Sequence, residues 1–250
     1  KLNLVAHQTA SDRAVLNLDN SITADYARRC PAPLWQFSRR QRLNKGCWLN
    51  ENNDIVYSDN GVDTVVMNAS DIKIPGIHNV ENYMAAIAAV WGNVAPERIK
   101  QFAQAFGGVA HRCELVRERD GVRWYNDSIG SSPSRTIAGL NAFSQKVILI
   151  AGGYDKNIPY DPLGPVAAEK VKAAILMGAT ATAIEQAIRA HSDMPIYRVR
   201  DMAEAVATAD EISKSGDIVF MSPASASFDM YKNFEERGKH FRDLVNALPN

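Results

Sequence analysis

The sequence predicts an α/β fold whose second half is a parallel sheet with helices on both faces. Three observations predict it. Strand-like and helix-like runs alternate beyond Gly107-Gly108. The strand-like runs 146–151, 173–177 and 218–221 are almost wholly apolar, as strands buried on both faces are. The glycine pair falls where the pattern changes, which places a domain boundary near residue 108. Within this half the spacing reads strands at 113–116 and 122–125, a helix at 134–143, a strand at 146–151 and a helix at 165–170. A strand at 173–177, helices at 181–190 and 203–214, a last inner strand at 218–221 and a helix-like run ending at Leu248 complete it.

The first half is less regular. Residues 13–18 read as a strand with Asp19-Asn20 as its turn, and 25–29 as a short helix. Residues 34–37, 46–49 and 55–57 read as short strands between polar turns, which together predict a strand meander. After the break at Pro75-Gly76, the residues Val80, Tyr83, Met84, Ile87 and Val90 recur at helical spacing over 79–91. A second helix over 95–106 opens with Pro96 and Glu97. Trp35, Trp48, Trp91 and Trp124 read as packing residues.

The 250 residues carry no net charge, with 46% hydrophobic and 22% charged content. That suffices for real cores and argues for neither a nucleic-acid nor a membrane surface. No apolar run approaches the length of a membrane span, and no signal peptide is visible. Cys30, Cys47 and Cys113 are odd in number and lack metal or disulfide spacing, so free thiols in a reducing cytosol are expected. Lys1-Leu-Asn-Leu has no initiator Met and no helix cap, and reads as the start of a piece of a longer protein.

Chemistry concentrates where strands end. The run Ser222 to Gly238 follows the last apolar strand. Its Ser225, Ala226 and Ser227 are read as leading into a helix start, where hydroxyls, free N–H groups and the helix dipole would favour an anion. Gly152-Gly153 and Lys156 follow the strand 146–151, where two glycines permit close backbone approach and Lys156 supplies a cation; a plain turn with a solvated lysine is the alternative. Asp127, after the strand 122–125, accepts from a ribose or caps the turn. Arg112, beside His111 at the domain junction, clamps phosphate or makes a salt bridge. Asn79 is a plausible N-cap, and with Asn82 it offers carboxamides suited to an adenine edge. Glu235, Glu236, Lys239 and Arg242 read as a solvated helix face with a Glu235–Lys239 pair.

Taken in order, these motifs resemble the Mur ligase family. They are His78-Asn-Val-Glu-Asn82 with Ala85-Ala86, His111-Arg-Cys-Glu114, Asn126-Asp-Ser128 and Gly152-Gly-Tyr-Asp-Lys156, followed by Ser222-Pro-Ala-Ser-Ala-Ser-Phe-Asp229 and Asn233-Phe-Glu-Glu-Arg-Gly238. The last two resemble those of the member that adds D-glutamate, and the resemblance covers the whole chain. It implies that 1–108 is the C-terminal part of a central ATP-binding domain of P-loop type and that 109–250 is a Rossmann-like C-terminal domain bringing the amino acid. No G-x-x-x-x-G-K-[ST] run is present, so the phosphate loop is expected upstream.

The implied activity is ATP-dependent amide formation in peptidoglycan precursor synthesis, with ATP and Mg2+ as cofactors. ATP would phosphorylate the carboxylate of UDP-N-acetylmuramoyl-L-alanine, and the amine of D-glutamate would attack the acyl phosphate. A monomeric cytoplasmic enzyme is implied, with this piece inactive alone. By resemblance Asn79 and Asn82 face adenine, Asp127 the ribose, and Arg112 with His111 the phosphates. Ser131, Lys156, Ser227 and Phe234 would hold D-glutamate, with His111, Arg112 and Lys156 as the catalytic set. Lys1 resembles a lysine that the family carbamylates to help hold magnesium. Two positions depart from the pattern: Ile129 stands where relatives often have lysine, and Ser225 where they often have cysteine. Another amino-acid-adding ligase, a folylpolyglutamate synthase and a non-catalytic nucleotide-binding module are the alternatives. The missing third glycine of the dinucleotide fingerprint argues against the last. The tips of the second-half sheet are expected to form a positively biased cup for a dicarboxylate, with Lys156, Ser227 and Asp127 on one side.

Overall fold

A computed structural model describes residues 2–74 and 76–249. The chain divides into two units, one ending at Gly107 and the other beginning at Gly108.

The first unit opens with α1 (Leu2–Ala6), β1 (Ala14–Asn17), α2 (Ser21–Ala27), β2 (Leu34–Ser38) and β3 (Gly46–Leu49). It continues through β4 (Asp54–Asp59), β5 (Val62–Asn68), α3 (Ile77–Val90) and α4 (Pro96–Ala105). The sheet runs β1-β2-β3-β4-β5. It is not the meander expected from sequence: β1, β2 and β3 are mutually parallel, and only β3-β4-β5 alternate. The helix α2 supplies the crossover between β1 and β2, and begins four residues earlier than its sequence signal because the side chain of Asn20 caps it by accepting from Ile22 and Thr23 N–H. Strand β5 escaped the sequence reading. It is paired to β4 through Asn60-Gly61, both at positive φ, as a tight hairpin turn demands. The core lies under α3, where Met84, Ile87 and Ala88 meet Ile55, Tyr57 and Met67.

The second unit contains β6 (Glu114–Arg119), β7 (Val122–Asn126), α5 (Pro133–Leu140), β8 (Val147–Gly152), α6 (Leu163–Lys170) and β9 (Val171–Met177). Then follow α7 (Ala181–Arg189), β10 (Ile196–Arg198), α8 (Met202–Ile212), β11 (Ile218–Met221) and α9 (Phe234–Ala247). The strand order is β10-β9-β8-β11-β7-β6. All neighbours are parallel except β6, which runs antiparallel to β7 at the edge. Alternate residues of β8 serve opposite cores. Val147, Leu149 and Ala151 pack with Leu140, Leu163 and Ile184, whereas Ile148 and Ile150 pack with Met202, Val206 and Phe241. Burial on both faces is why the strand reads as a continuous apolar run. Strand β10 left no such mark: it has three residues, two of them exposed.

Strand β11 returns late in the chain to lie between β7 and β8. The loops leaving these three strands therefore emerge side by side, at the edge where open α/β sheets hold ligands. Phe220 anchors β11, fully buried and edge-on to Phe143 at 5.1 Å. Phe220→Ala is expected to destabilise the second unit by about 3–5 kcal/mol. The check is a lower urea midpoint at unchanged slope.

Candidate active site

Four segments meet at this edge. Asp127 to Ser132 leave β7 for α5, Gly153 to Lys156 leave β8, and Ser222 to Asp229 leave β11. Because β6 is antiparallel, its start faces the end of β7, with Glu114 opposite Asn126, and this brings His111 to Cys113 to the same place. His111, Cys113 and Ala224 all hold left-handed backbone, with φ of 65°, 46° and 55°. For Cys and Ala that conformation is uncommon and costly, and such strain gathers at functional sites.

Most polar groups here are committed to one another. Asp127 is 6% exposed. Its Oδ2 accepts from Ser222 Oγ at 2.7 Å and its Oδ1 from the Cys113 N–H at 3.1 Å. Burial pushes its pKa up to about 6, against the pull of those two bonds and of the charges on Arg112 and Arg135. Its first task is to tie the ends of β7 and β11 to the start of β6. A ribose hydroxyl would have to share an oxygen already bonded, which the lone pairs of a carboxylate allow.

The Asn126 amide nitrogen lies 3.1 Å from His111 Nδ1 and 3.1 Å from the Gly238 carbonyl. An amide N–H facing Nδ1 leaves the imidazole proton on Nε2. Burial, with Arg242 adding to it, lowers the His111 pKa, so the ring is neutral at pH 7. Gly238 is required in this packing, since a Cβ there would run into the imidazole. Ser225 sits in a buried hydroxyl trio, 2.8 Å from both Tyr160 Oη and Thr180 Oγ1, which accounts for a hydroxyl at that position.

Arg237 is fully buried and forms no salt bridge among the described residues, although the charges of Asp229 and Asp127 act on it. Its Nη1 donates to the Ser225 and Ala226 carbonyls at 3.1 and 3.0 Å. Its Nη2 donates to the Ser128 carbonyl at 2.8 Å and its Nε to Ser128 Oγ at 3.0 Å. Ser128 Oγ in turn donates to the Phe234 carbonyl at 2.7 Å. Desolvation lowers the Arg237 pKa to about 10, which leaves it charged.

The groups left over are distinctive. Lys156, Arg112 and Arg135 are exposed and make no ion pair among the described residues. The hydroxyls of Ser131 and Ser227 likewise have no partner there. Asp127, Ser131, Lys156 and Ser227 all stand beyond the carboxyl ends of the three neighbouring strands β7, β8 and β11. Phe234 begins α9, with its carbonyl taken by Ser128 and its N–H without an intrahelical acceptor.

Several sequence expectations need correcting. Ser225 to Ser227 do not lead into a helix; α9 starts at Phe234, capped by Asn233, whose side chain accepts from the Glu236 N–H. Asn79 is no cap either, since α3 begins two residues before it; it is buried in the first turn, with Asn82 Nδ2 at 3.3 Å from its Oδ1. The expected Glu235–Lys239 pair is replaced by Lys239–Asp243. Arg242 turns inward to Glu114 at 2.9 Å rather than to solvent. Lys1 lies outside the described residues. Asn79 and Asn82 belong to the first unit, and the other site residues to the second.

Two family models match the chain: the Mur ligase middle domain over residues 1–90, and the Mur ligase, glutamate ligase domain over residues 111–225. The chain belongs to the Mur ligase family. It is 52% identical to the UDP-N-acetylmuramoylalanine--D-glutamate ligase of Acetivibrio thermocellus, over 99% of this chain and 54% of that protein. It is 47% identical to the ligase of the same name from Ruminiclostridium cellulolyticum, over 99% of this chain and 55% of that protein. The chain thus spans about half the length of the curated relatives it matches. Among solved structures, the bifunctional folylpolyglutamate synthase/dihydrofolate synthase of Yersinia pestis, complexed with AMPPNP and Mn ion, matches with a TM-score of 0.64. That match covers 95% of this chain and 54% of the other at 15% identity, and shows the fold alone.

For a Mur ligase domain, the residues that hold the site together, Ser222, Arg237 and Asn126, stand in the motifs read from sequence but were given no role there, and Arg135 was missed. Arg237 had a signal, since Arg237, Phe241 and Val245 recur at helical spacing on the buried face of α9. Among the described residues no group of three or more His, Cys, Asp or Glu is placed to hold a metal ion. No described helix is long and apolar enough to cross a membrane.

The Asp127 environment makes a pH prediction. Its folded pKa lies above the unfolded value, so the native state binds the extra proton between about pH 4 and pH 6 and stability falls as pH rises through that window. Asp127→Asn removes the titration. The wild type is expected to lose roughly 2–3 kcal/mol relative to Asp127→Asn between pH 4 and pH 7, read from urea midpoints at each pH.

Proposed function

We propose that this chain is part of an ATP-dependent amide ligase that joins D-glutamate to UDP-N-acetylmuramoyl-L-alanine through an acyl phosphate, in peptidoglycan precursor synthesis. The observation that carries the reading is the contrast at the strand tips. Most polar groups there are spent on internal bonds, while Lys156, Ser227 and Ser131, at neighbouring strand ends, have no side-chain partner among the described residues. Unpaired cations and hydroxyls held on a rigid sheet are what a dianionic amino acid needs in place of its water. The names of the relatives point to the same substrates.

In this reading Lys156 meets one carboxylate of D-glutamate, with Ser227 and Ser131 donating hydroxyls and Phe234 its free N–H. Holding the amine near the activated carbonyl supplies the orientation that amide formation requires. Arg112 is the exposed cation suited to phosphoryl oxygens. His111, neutral and with its proton on Nε2, is a donor toward them. Asn79 and Asn82 offer carboxamides to adenine, and Asp127 an acceptor to the ribose. ATP, when bound, supplies the phosphoryl group. The acceptor carboxylate becomes an acyl phosphate, the D-glutamate amine adds to its carbonyl and loses a proton, and inorganic phosphate departs. We read Mg2+ as a requirement of the whole enzyme, with no ligand assigned among the described residues. A cytoplasmic monomer fits the reading.

The test is phosphate release by the intact enzyme given ATP, UDP-N-acetylmuramoyl-L-alanine and one amino acid at a time. D-glutamate is expected to support turnover where lysine, diaminopimelate and folate substrates do not; turnover with one of those instead would reject the assignment. Lys156→Ala is expected to raise KM for D-glutamate by roughly tenfold or more, the loss of a charge-assisted bond, with KM for ATP unchanged.

A further inference from the structure

A dicarboxylic amino acid brings two negative groups into the site, and each loses water on binding unless a cation or several donors replace it. On the D-glutamate reading, Lys156 beyond β8 serves one. The other side of Ser227 is the end of β7, where Asn126-Asp127-Ser128 is followed by the apolar Ile129. A cation is nonetheless present there. Arg135 stands in the first turn of α5 and its Nη1 donates to the Ile129 carbonyl at 3.2 Å.

The turn that Arg135 grips is itself fixed. The Ile129 N–H donates to the His111 carbonyl at 3.1 Å, the Gly130 N–H to the Asp127 carbonyl at 2.7 Å, and the Ser131 N–H to the Ile129 carbonyl at 2.7 Å. One bond to a carbonyl uses one of the five guanidinium donors. The rest of the group is exposed and makes no ion pair among the described residues. The bond to the Ile129 carbonyl places the guanidinium at the turn that follows Asp127, whose carboxyl feels its charge together with that of Arg112. Since β11 separates β7 from β8, their ends stand roughly 10 Å apart, twice the strand spacing. Arg135 and Lys156 are thus exposed cations on the segments that leave those two ends, with Ser227 on the segment between them.

We propose that Arg135 is the second carboxylate-binding cation of the amino-acid site, working opposite Lys156 and filling the role that the Ile129 side chain leaves empty. The inference rests on the D-glutamate reading above, and its test separates the two. In the intact enzyme, Arg135→Ala is expected to raise KM for D-glutamate roughly tenfold, with KM for ATP and for the UDP-sugar substrate unchanged. Arg135→Gln keeps an amide donor for the Ile129 carbonyl but drops the charge, and is expected to behave as Arg135→Ala does. Arg135→Lys is expected to retain most of the affinity, and Ile129→Lys in the Arg135→Ala background to recover it. If Arg135→Gln matches the wild type, the residue only braces the turn and the proposal fails. It fails equally if KM for ATP rises in step with KM for D-glutamate. A wild-type enzyme showing no turnover with D-glutamate would reject the ligase reading itself, and this inference with it.

Discussion

A guanidinium taken out of water without a carboxylate beside it is costly, and Arg237 is held in that state because of what its donors reach. Three of its acceptors are backbone carbonyls, on Ser128, Ser225 and Ala226, and the fourth is the Ser128 hydroxyl. Those atoms belong to the segments leaving β7 and β11. Carbonyls that point away from a sheet end would otherwise turn toward solvent and present negative partial charge at the strand tips. Arg237 draws them down from below. The backbone leading into Ser227 is thereby fixed, and a buried positive charge near it makes an anion more favourable than a neutral ligand.

Asp127 is the counterweight. It is the one carboxylate buried among these segments, it responds electrostatically to Arg112 and Arg135, and it acts on Arg237 after Asp229 and Tyr231. Its bonds to Ser222 and to the Cys113 N–H secure β6 and β11 against β7. Arg112, Arg135, Lys156 and Arg237 stand at this edge together with Asp127, Asp155, Asp229 and Glu114, so what marks the site is which cations lack an ion pair and not an excess of charge. The buried one is satisfied by carbonyls and a hydroxyl, and the exposed Arg112, Arg135 and Lys156 make no ion pair among the described residues. Where a paired network would give stability alone, this arrangement leaves the exposed cations their capacity to bind an anion.

Much of this was legible in the sequence because it rests on local chemistry. The apolar runs of β8, β9 and β11 announce strands buried on both faces, and Gly152-Gly153 announces a close approach, since a Cβ on Gly153 would collide with the Ala226 carbonyl. What escaped depends on pairings across long stretches of chain. That β6 runs antiparallel, so that His111 arrives at the tip of β7, follows from a register no local pattern encodes. The stretch Ser225 to Ser227 resembles a helix entry because hydroxyls precede helices so often, yet the cap is Asn233, six residues further on, and Ser225 spends its hydroxyl on Tyr160 and Thr180. Arg242 looked solvated because charge on a helix usually is; only its proximity to Glu114, distant in sequence, turns it inward.

The strained backbone at this edge has a reason in the same geometry. Left-handed residues other than glycine cost on the order of 1–3 kcal/mol each, and Asn53, Asn60, Asp120 and Asn157 lower that cost by being residue types that tolerate it. His111, Cys113 and Ala224 are different. At Cys113 the reversal aims the N–H at the Asp127 carboxylate, and at His111 it lets the N–H meet Glu114 while the ring reaches Asn126. Ala224 turns its N–H onto Thr136 Oγ1, 3.0 Å away, and the chain then runs on to the hydroxyl of Ser225 and the carbonyls that Arg237 holds. Relaxing any of the three to an extended conformation would return a buried donor or acceptor to the interior without a partner, at a cost comparable to the strain removed. The strain persists because the hydrogen bonds leave no cheaper alternative, and the consequence is a strand-tip backbone that is fixed before any ligand arrives.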